Sequence, residues 1–73
     1  MTTHMTKLTW DEYDDIAVAL LSAHPDQDPL KVSFPKLHRM VVGLPEFGAD
    51  PKASNERLLE TIQMAWYELK VSQ

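Results

Sequence analysis

The sequence contains no cysteine, which excludes disulfides, thiolate metal sites, cluster ligation and any relay of sulfur through a persulfide on this chain. No apolar run approaches the ~18 residues of a membrane span, and the start of the chain lacks the apolar core of a signal peptide. A soluble, cytoplasmic protein is expected. There is no glycine-rich phosphate loop, no H-E-x-x-H and no recognisable Ser/His/Asp or Cys/His arrangement, so no enzyme activity is expected. Repeats and low-complexity tracts are absent as well. Positive charge is the minority: seven basic side chains face eleven acidic ones, a formal charge of −4. That balance opposes phosphate-driven nucleic-acid binding and favours a basic protein surface or a cation.

What the sequence does contain fits one small domain. Its 73 residues bury only about 60% of the surface that the unfolded chain exposes. A core of this size supplies about 3–5 kcal/mol, so Trp10, Phe34, Phe47 and Trp66 are first of all core candidates. Met1 to Thr6 show no periodicity. Residues 1–7 are read as a disordered start, 8–70 as the domain and 71–73 as a tail.

The organising stretch is Asp50 to Lys70. Leu58, Leu59, Ile62, Ala65, Trp66 and Leu69 recur at three- and four-residue spacing and form one apolar stripe on a helix. Asp50 before Pro51 fits an N-cap and first helical position, and Ser54 or Asn55 can cap a helix that starts one turn later. Upstream, Thr9 and Glu12 make a capping box for a helix whose buried face is Tyr13, Ile16, Ala17, Leu20 and Leu21. Pro25 ends that helix near Ala23 or His24. Val32 and Phe34 alternate with polar neighbours and allow a short strand or extended edge. Ser33 and Pro35 then open a second helix carrying Leu37, Met40, Val41 and Leu44, stopped by Gly43 and Pro45. Phe47 is read as a plug under the following turn. The fold expected is all-α: a small three-helix domain, winged-helix-like, with at most a very short extended or β segment.

Candidate chemistry is carried by charge. Asp11 and Asp15, and again Glu56 and Glu60, lie four residues apart and project from one side of their helices. Such pairs suit a basic partner or a hard divalent cation, and equally a solvated face aided by the helix dipole. Asp26 and Asp28 flank prolines, as turn residues do. A lone His38 supplies one ligand where a metal needs several, so it is read as an interfacial helix residue. Lys36, His38 and Arg39 on the second helix allow a nucleic-acid-reading alternative, and a general protein-interaction module is another.

Leu8-Thr9-Trp10, Pro25-Asp26-Gln27-Asp28-Pro29, Leu37-His38 and Asp50-Pro51-Lys52-Ala53-Ser54-Asn55-Glu56 together resemble the IscX family, the small acidic accessory proteins of iron–sulfur cluster assembly. The resemblance runs from about Leu8 to Leu69. It implies a winged-helix-type fold without DNA binding, and a regulator or adaptor that docks on a cysteine desulfurase through an acidic surface in competition with frataxin. By matching position, the partner-binding residues it implies are Asp26, Asp28, Asp50, Asn55 and Glu56, with Glu60 beside them by helical spacing. It also implies weak ferrous-iron binding, for which Glu56, Glu60 and Asp50 are the candidate ligands, with no tightly bound cofactor. Nucleic acid and membrane are not expected partners, and a monomer is expected.

Overall fold

A computed structural model describes residues 7–72. Three α-helices follow in order, α1 (Tyr13–Ala23), α2 (Phe34–Val42) and α3 (Glu56–Val71), with short 3-10 turns at Pro29–Lys31 and Pro51–Ala53 in the two connections. The domain is all-α. Among the described residues no helix is long and apolar enough to cross a membrane. The expected disordered start, up to Thr6, lies outside the described residues.

The apolar stripe of α3 organises the core. Leu59, Ile62 and Trp66 are buried, with Leu58, Ala65 and Leu69 packed at the margin. Against them lie Ile16, Ala17 and Leu20 of α1 and Leu37 and Val41 of α2, joined by Trp10, Val32 and Leu44 from the connections. The start of α3 resolves in favour of two successive caps. Asp50 accepts from the Lys52 N–H at 2.9 Å and closes the 3-10 turn, and Asn55 accepts from the Leu58 N–H at 2.9 Å and starts α3. The end of α3 includes Val71, one residue into the expected tail.

The first helix starts later than the capping box predicts. Glu12 does reach back to the Thr9 N–H (2.9 Å). The Thr9 hydroxyl, however, donates to Asp11 (2.5 Å) and leans toward Glu12 (3.1 Å), and the Glu12 N–H goes to the Thr9 carbonyl (3.0 Å). Residues 9–12 are therefore a turn, and helix begins at Tyr13. The physical reason is Trp10, which is buried and donates its indole N–H to the Asp50 carbonyl at 2.7 Å, 40 residues away in sequence. Tyr13, expected on the buried face, is 39% exposed.

The piece after α1 is not a strand. Asp28 accepts from the Leu30 N–H (3.0 Å), a 3-10 turn follows, and just Val32 and Ser33 are extended as the chain enters α2. Gln63 of α3 holds this connection in place, donating to the carbonyls of Pro29 (2.8 Å) and Val32 (3.3 Å). The one β-bridge among the described residues lies elsewhere, between Leu8 and Phe47, with Leu8 N–H on the Glu46 carbonyl (2.7 Å) and Gly48 N–H on the Leu8 carbonyl (2.9 Å). Gly48 permits that approach: a Cβ there would collide with Cβ of Lys7. Ser33 caps α2 as expected, accepting from the Lys36 N–H. Gly43 ends α2 in ordinary right-handed backbone (φ −78°), so its role is not the left-handed stop usual for glycine.

Candidate docking surface

Among the described residues no polar or charged side chain is buried. All the carboxylates there accordingly face outward. No lysine or arginine among the described residues donates a hydrogen bond to one of them; Lys7 and Lys70 instead donate to the backbone carbonyls of Pro45 and Pro25. Among the described residues the carboxylates thus keep their oxygens free of lysine and arginine hydrogen bonds, although Arg57 shares a hollow with Glu56 and Glu60. Asp11 is held below its ordinary value of 3.8, chiefly by the hydroxyl of Thr9 and then by its own backbone N–H, against a small opposing desolvation.

The six expected partner-binding residues are all exposed, and five of them divide between two different jobs, Asp26 taking part in neither. Asp28, Asp50 and Asn55 each commit a side-chain oxygen to a backbone N–H, capping the first 3-10 turn, the second and α3. Glu56 and Glu60 carry no such duty among the described hydrogen bonds and line one shallow hollow with Phe34 and Arg57. Their four-residue spacing places both on one side of α3, at the end where the helix dipole favours negative charge.

They attach to α3 at different points. Asn55, Glu56 and Glu60 lie at the cap and in the first turns of α3, and Asp50 caps the 3-10 turn before it. The Asp26–Asp28 segment is tied further along α3, through Gln63 to the Pro29 carbonyl and Lys70 to the Pro25 carbonyl. At 1.5 Å per residue those anchors lie about 10–20 Å along the helix beyond Glu56, the nearer one about 5 Å beyond Glu60. Among the described residues no three His, Cys, Asp or Glu side chains are grouped so as to hold a metal ion. Asp50, Glu56 and Glu60 therefore do not make a three-ligand site.

The basic residues of α2 are divided as well. The His38 ring stacks on Trp10 (centroids 5.4 Å apart) and its Nε2 lies 2.6 Å from the Pro51 carbonyl, while Phe47 meets Trp10 edge-on at 4.7 Å. This is the interfacial role expected of a lone histidine. Lys36 and Arg39 line a separate hollow with His24, Met40 and Pro45. The trio Lys36, His38 and Arg39 does not form one nucleic-acid-reading track.

Sequence reasoning missed a third feature, the furrow between α1 and α3. Its walls include Tyr13, Asp14, Glu60, Met64 and Glu68, around a space of about 370 Å³. The signal was available in Val18 and Met64, apolar residues that stand off their helices' buried stripes.

Comparison with known proteins now adds to this geometry. Residues 8–70 match the family described as Iron-sulphur cluster assembly. The chain belongs to this family, the IscX family. An uncharacterized protein of Pseudomonas aeruginosa is 48% identical over 61 residues, which cover 84% of this chain and 92% of that protein. The IscX match begins at Leu8, where the bridge to Phe47 closes the fold, and it contains the whole core from Trp10 to Trp66. The matched residues thus span the folded body described above, including the caps Asp28, Asp50 and Asn55.

Proposed function

We propose that this member of the IscX family acts as a regulator or adaptor in iron–sulfur cluster assembly by docking its acidic surface on the basic surface of a cysteine desulfurase. The observation that carries the reading is the exposed Glu56–Glu60 pair on α3, committed to no cap among the described hydrogen bonds. Without a cysteine the chain takes no sulfur itself. It acts on the sulfur donor by occupancy: dispersed negative charges steer the encounter and fix the docked orientation. Frataxin, on this reading, competes for overlapping surface on the same enzyme.

Calorimetric titration of the chain into its cognate desulfurase tests the proposal. Binding is expected at low salt and weaker as salt rises toward physiological strength, where screening reaches about 8 Å. The Glu56→Lys, Glu60→Lys double variant is expected to abolish it. Absence of any association at low salt removes the reading. Ferrous iron enters as a weak ligand of the Glu56–Glu60 pair, with solvent completing its coordination. Anaerobic calorimetry with Fe(II) decides that part: an affinity no better than that of an unrelated acidic protein rules out specific iron delivery.

A further inference from the structure

Five large apolar side chains are exposed among the described residues, and three of them, Tyr13, Val18 and Met64, stand along the α1–α3 furrow. The furrow is continuous. Its upper part, of about 370 Å³, and its lower part, of about 300 Å³, share Asp14, Ala65 and Glu68. From Glu60 to Ser72 it runs the length of twelve helical residues, ~18 Å. The residues lining it include the carboxylates of Asp14, Glu60 and Glu68, and no lysine, arginine or histidine. Two of its three hydroxyl groups are already engaged, Thr61 donating to the Arg57 carbonyl (2.8 Å) and Ser72 to the Glu68 carbonyl (2.7 Å), which leaves the Tyr13 phenol at its rim.

An occupant therefore meets apolar walls and negative charge, with few free donors. The sign excludes nucleic acid, phosphorylated ligands and anionic lipid. A metal ion is poorly served, since no suitable group of three ligands exists among the described residues. A small amine would leave most of the length unfilled. We infer that the α1–α3 furrow is the seat for a basic amphipathic helix of a partner protein, apolar side chains entering between Tyr13, Val18 and Met64, and lysines or arginines reaching Asp14, Glu60 and Glu68. Laying an amphipathic helix in a groove is a recurrent mode of recognition, with anchors at three- and four-residue spacing. Charge complementarity chooses this occupant over a second copy of the chain, because the same acidic walls repel a protein of net charge −4.

The inference deepens the docking reading, since Glu60 belongs to both surfaces, yet it can be tested without the desulfurase. The probe is a synthetic leucine–lysine amphipathic peptide, with a leucine–glutamate twin as control, titrated into the ¹⁵N-labelled full chain. Chemical-shift changes are expected to centre on Tyr13, Val18, Met64 and Glu68 with the basic peptide and to be absent with the acidic one. The Val18→Thr, Met64→Gln double variant keeps shape and helix propensity and is expected to weaken binding by about tenfold or more. Equal binding of both peptides, shifts centred outside the furrow, or wild-type affinity in the double variant overturns the inference. If the peptide maps to the furrow while the desulfurase does not bind at all, the furrow stands and the docking reading falls. If Glu56→Lys, Glu60→Lys abolishes desulfurase binding while Val18→Thr, Met64→Gln leaves both peptide and desulfurase affinity unchanged, the docking reading stands and the furrow falls.

Discussion

The two tryptophans anchor two regions in opposite ways. Trp10 closes the corner between the N-terminal turn and the second connection: it is buried, stacked on His38 and edge-on to Phe47, and its indole N–H reaches the Asp50 carbonyl. Trp66 lies fully buried on α3, and its indole N–H has no partner among the described residues. One ring is a polar tie between distant segments, and the other is volume for the core. An unpaired buried donor costs about 1–3 kcal/mol, which in a domain this small persists only where the ring's packing outweighs it. The difference teaches where the chain is fixed by direction and where it is fixed by bulk.

The largest break is loss of that bulk. Trp66→Ala is expected to cost about 3–5 kcal/mol, as much as the whole core supplies, so far-UV circular dichroism should show an unfolded chain at 25 °C. Replacement by phenylalanine separates the two roles. Trp10→Phe both shrinks the ring and leaves the Asp50 carbonyl without its donor, whereas Trp66→Phe shrinks the ring but removes the unpaired N–H. Paired urea melts are expected to show the larger loss for Trp10→Phe. Equal losses would mean that the Trp10–Asp50 bond contributes nothing.

The caps give the next smaller effect. Asn55→Ala removes the acceptor for the Leu58 N–H and is expected to cost about 1 kcal/mol. In a domain this size that lowers the melting temperature by about 4–8 °C. Asn55→Asp should restore most of it, because aspartate caps as well. Desulfurase binding in the docking reading should survive Asn55→Ala far better than Glu56→Lys, Glu60→Lys, since the cap serves the fold and the glutamates serve the partner.

Short-range chemistry made much of this legible in the sequence. The α3 stripe, the Ser33–Pro35 start of α2, the Pro25 stop and the capping candidates Asp50 and Asn55 all depend on residues within one or two turns of each other, although that both caps act in succession emerges only in the fold. What was not legible depends on contacts across tens of residues. Nothing near Trp10 announces that its N–H will seek the carbonyl of Asp50, and that bond is what replaces the first helical turn by an irregular one. Tyr13 has the spacing of a core residue, but as the first residue of α1 it overhangs the furrow. For the site, the residue types were readable and their arrangement was not. Gln63 and Lys70 of α3 hold the carbonyls of Pro29 and Pro25 on either side of Asp26 and Asp28, and only tertiary structure sets those attachments.

The smallest expected effect sharpens the comparison at the turn that presents Trp10. The Thr9 hydroxyl donates to Asp11 and depresses its pKa below 3.8. A carboxyl with a lowered folded-state pKa binds its proton less readily when folded than when unfolded. Its contribution to stability is therefore present above 3.8 and disappears as pH falls through the lowered value. Thr9→Val keeps the side-chain shape and removes the donor, so Asp11 is expected to titrate closer to 3.8 in a carboxyl ¹³C NMR experiment. The group is fully exposed, and solvent screening keeps the accompanying change in melting temperature small. If Trp10 is held by its own bond to Asp50 and by its stacking partners, its indole N–H resonance should stay in place in Thr9→Val. A shifted indole signal would mean that the acidic turn, and not the distant carbonyl, positions the ring.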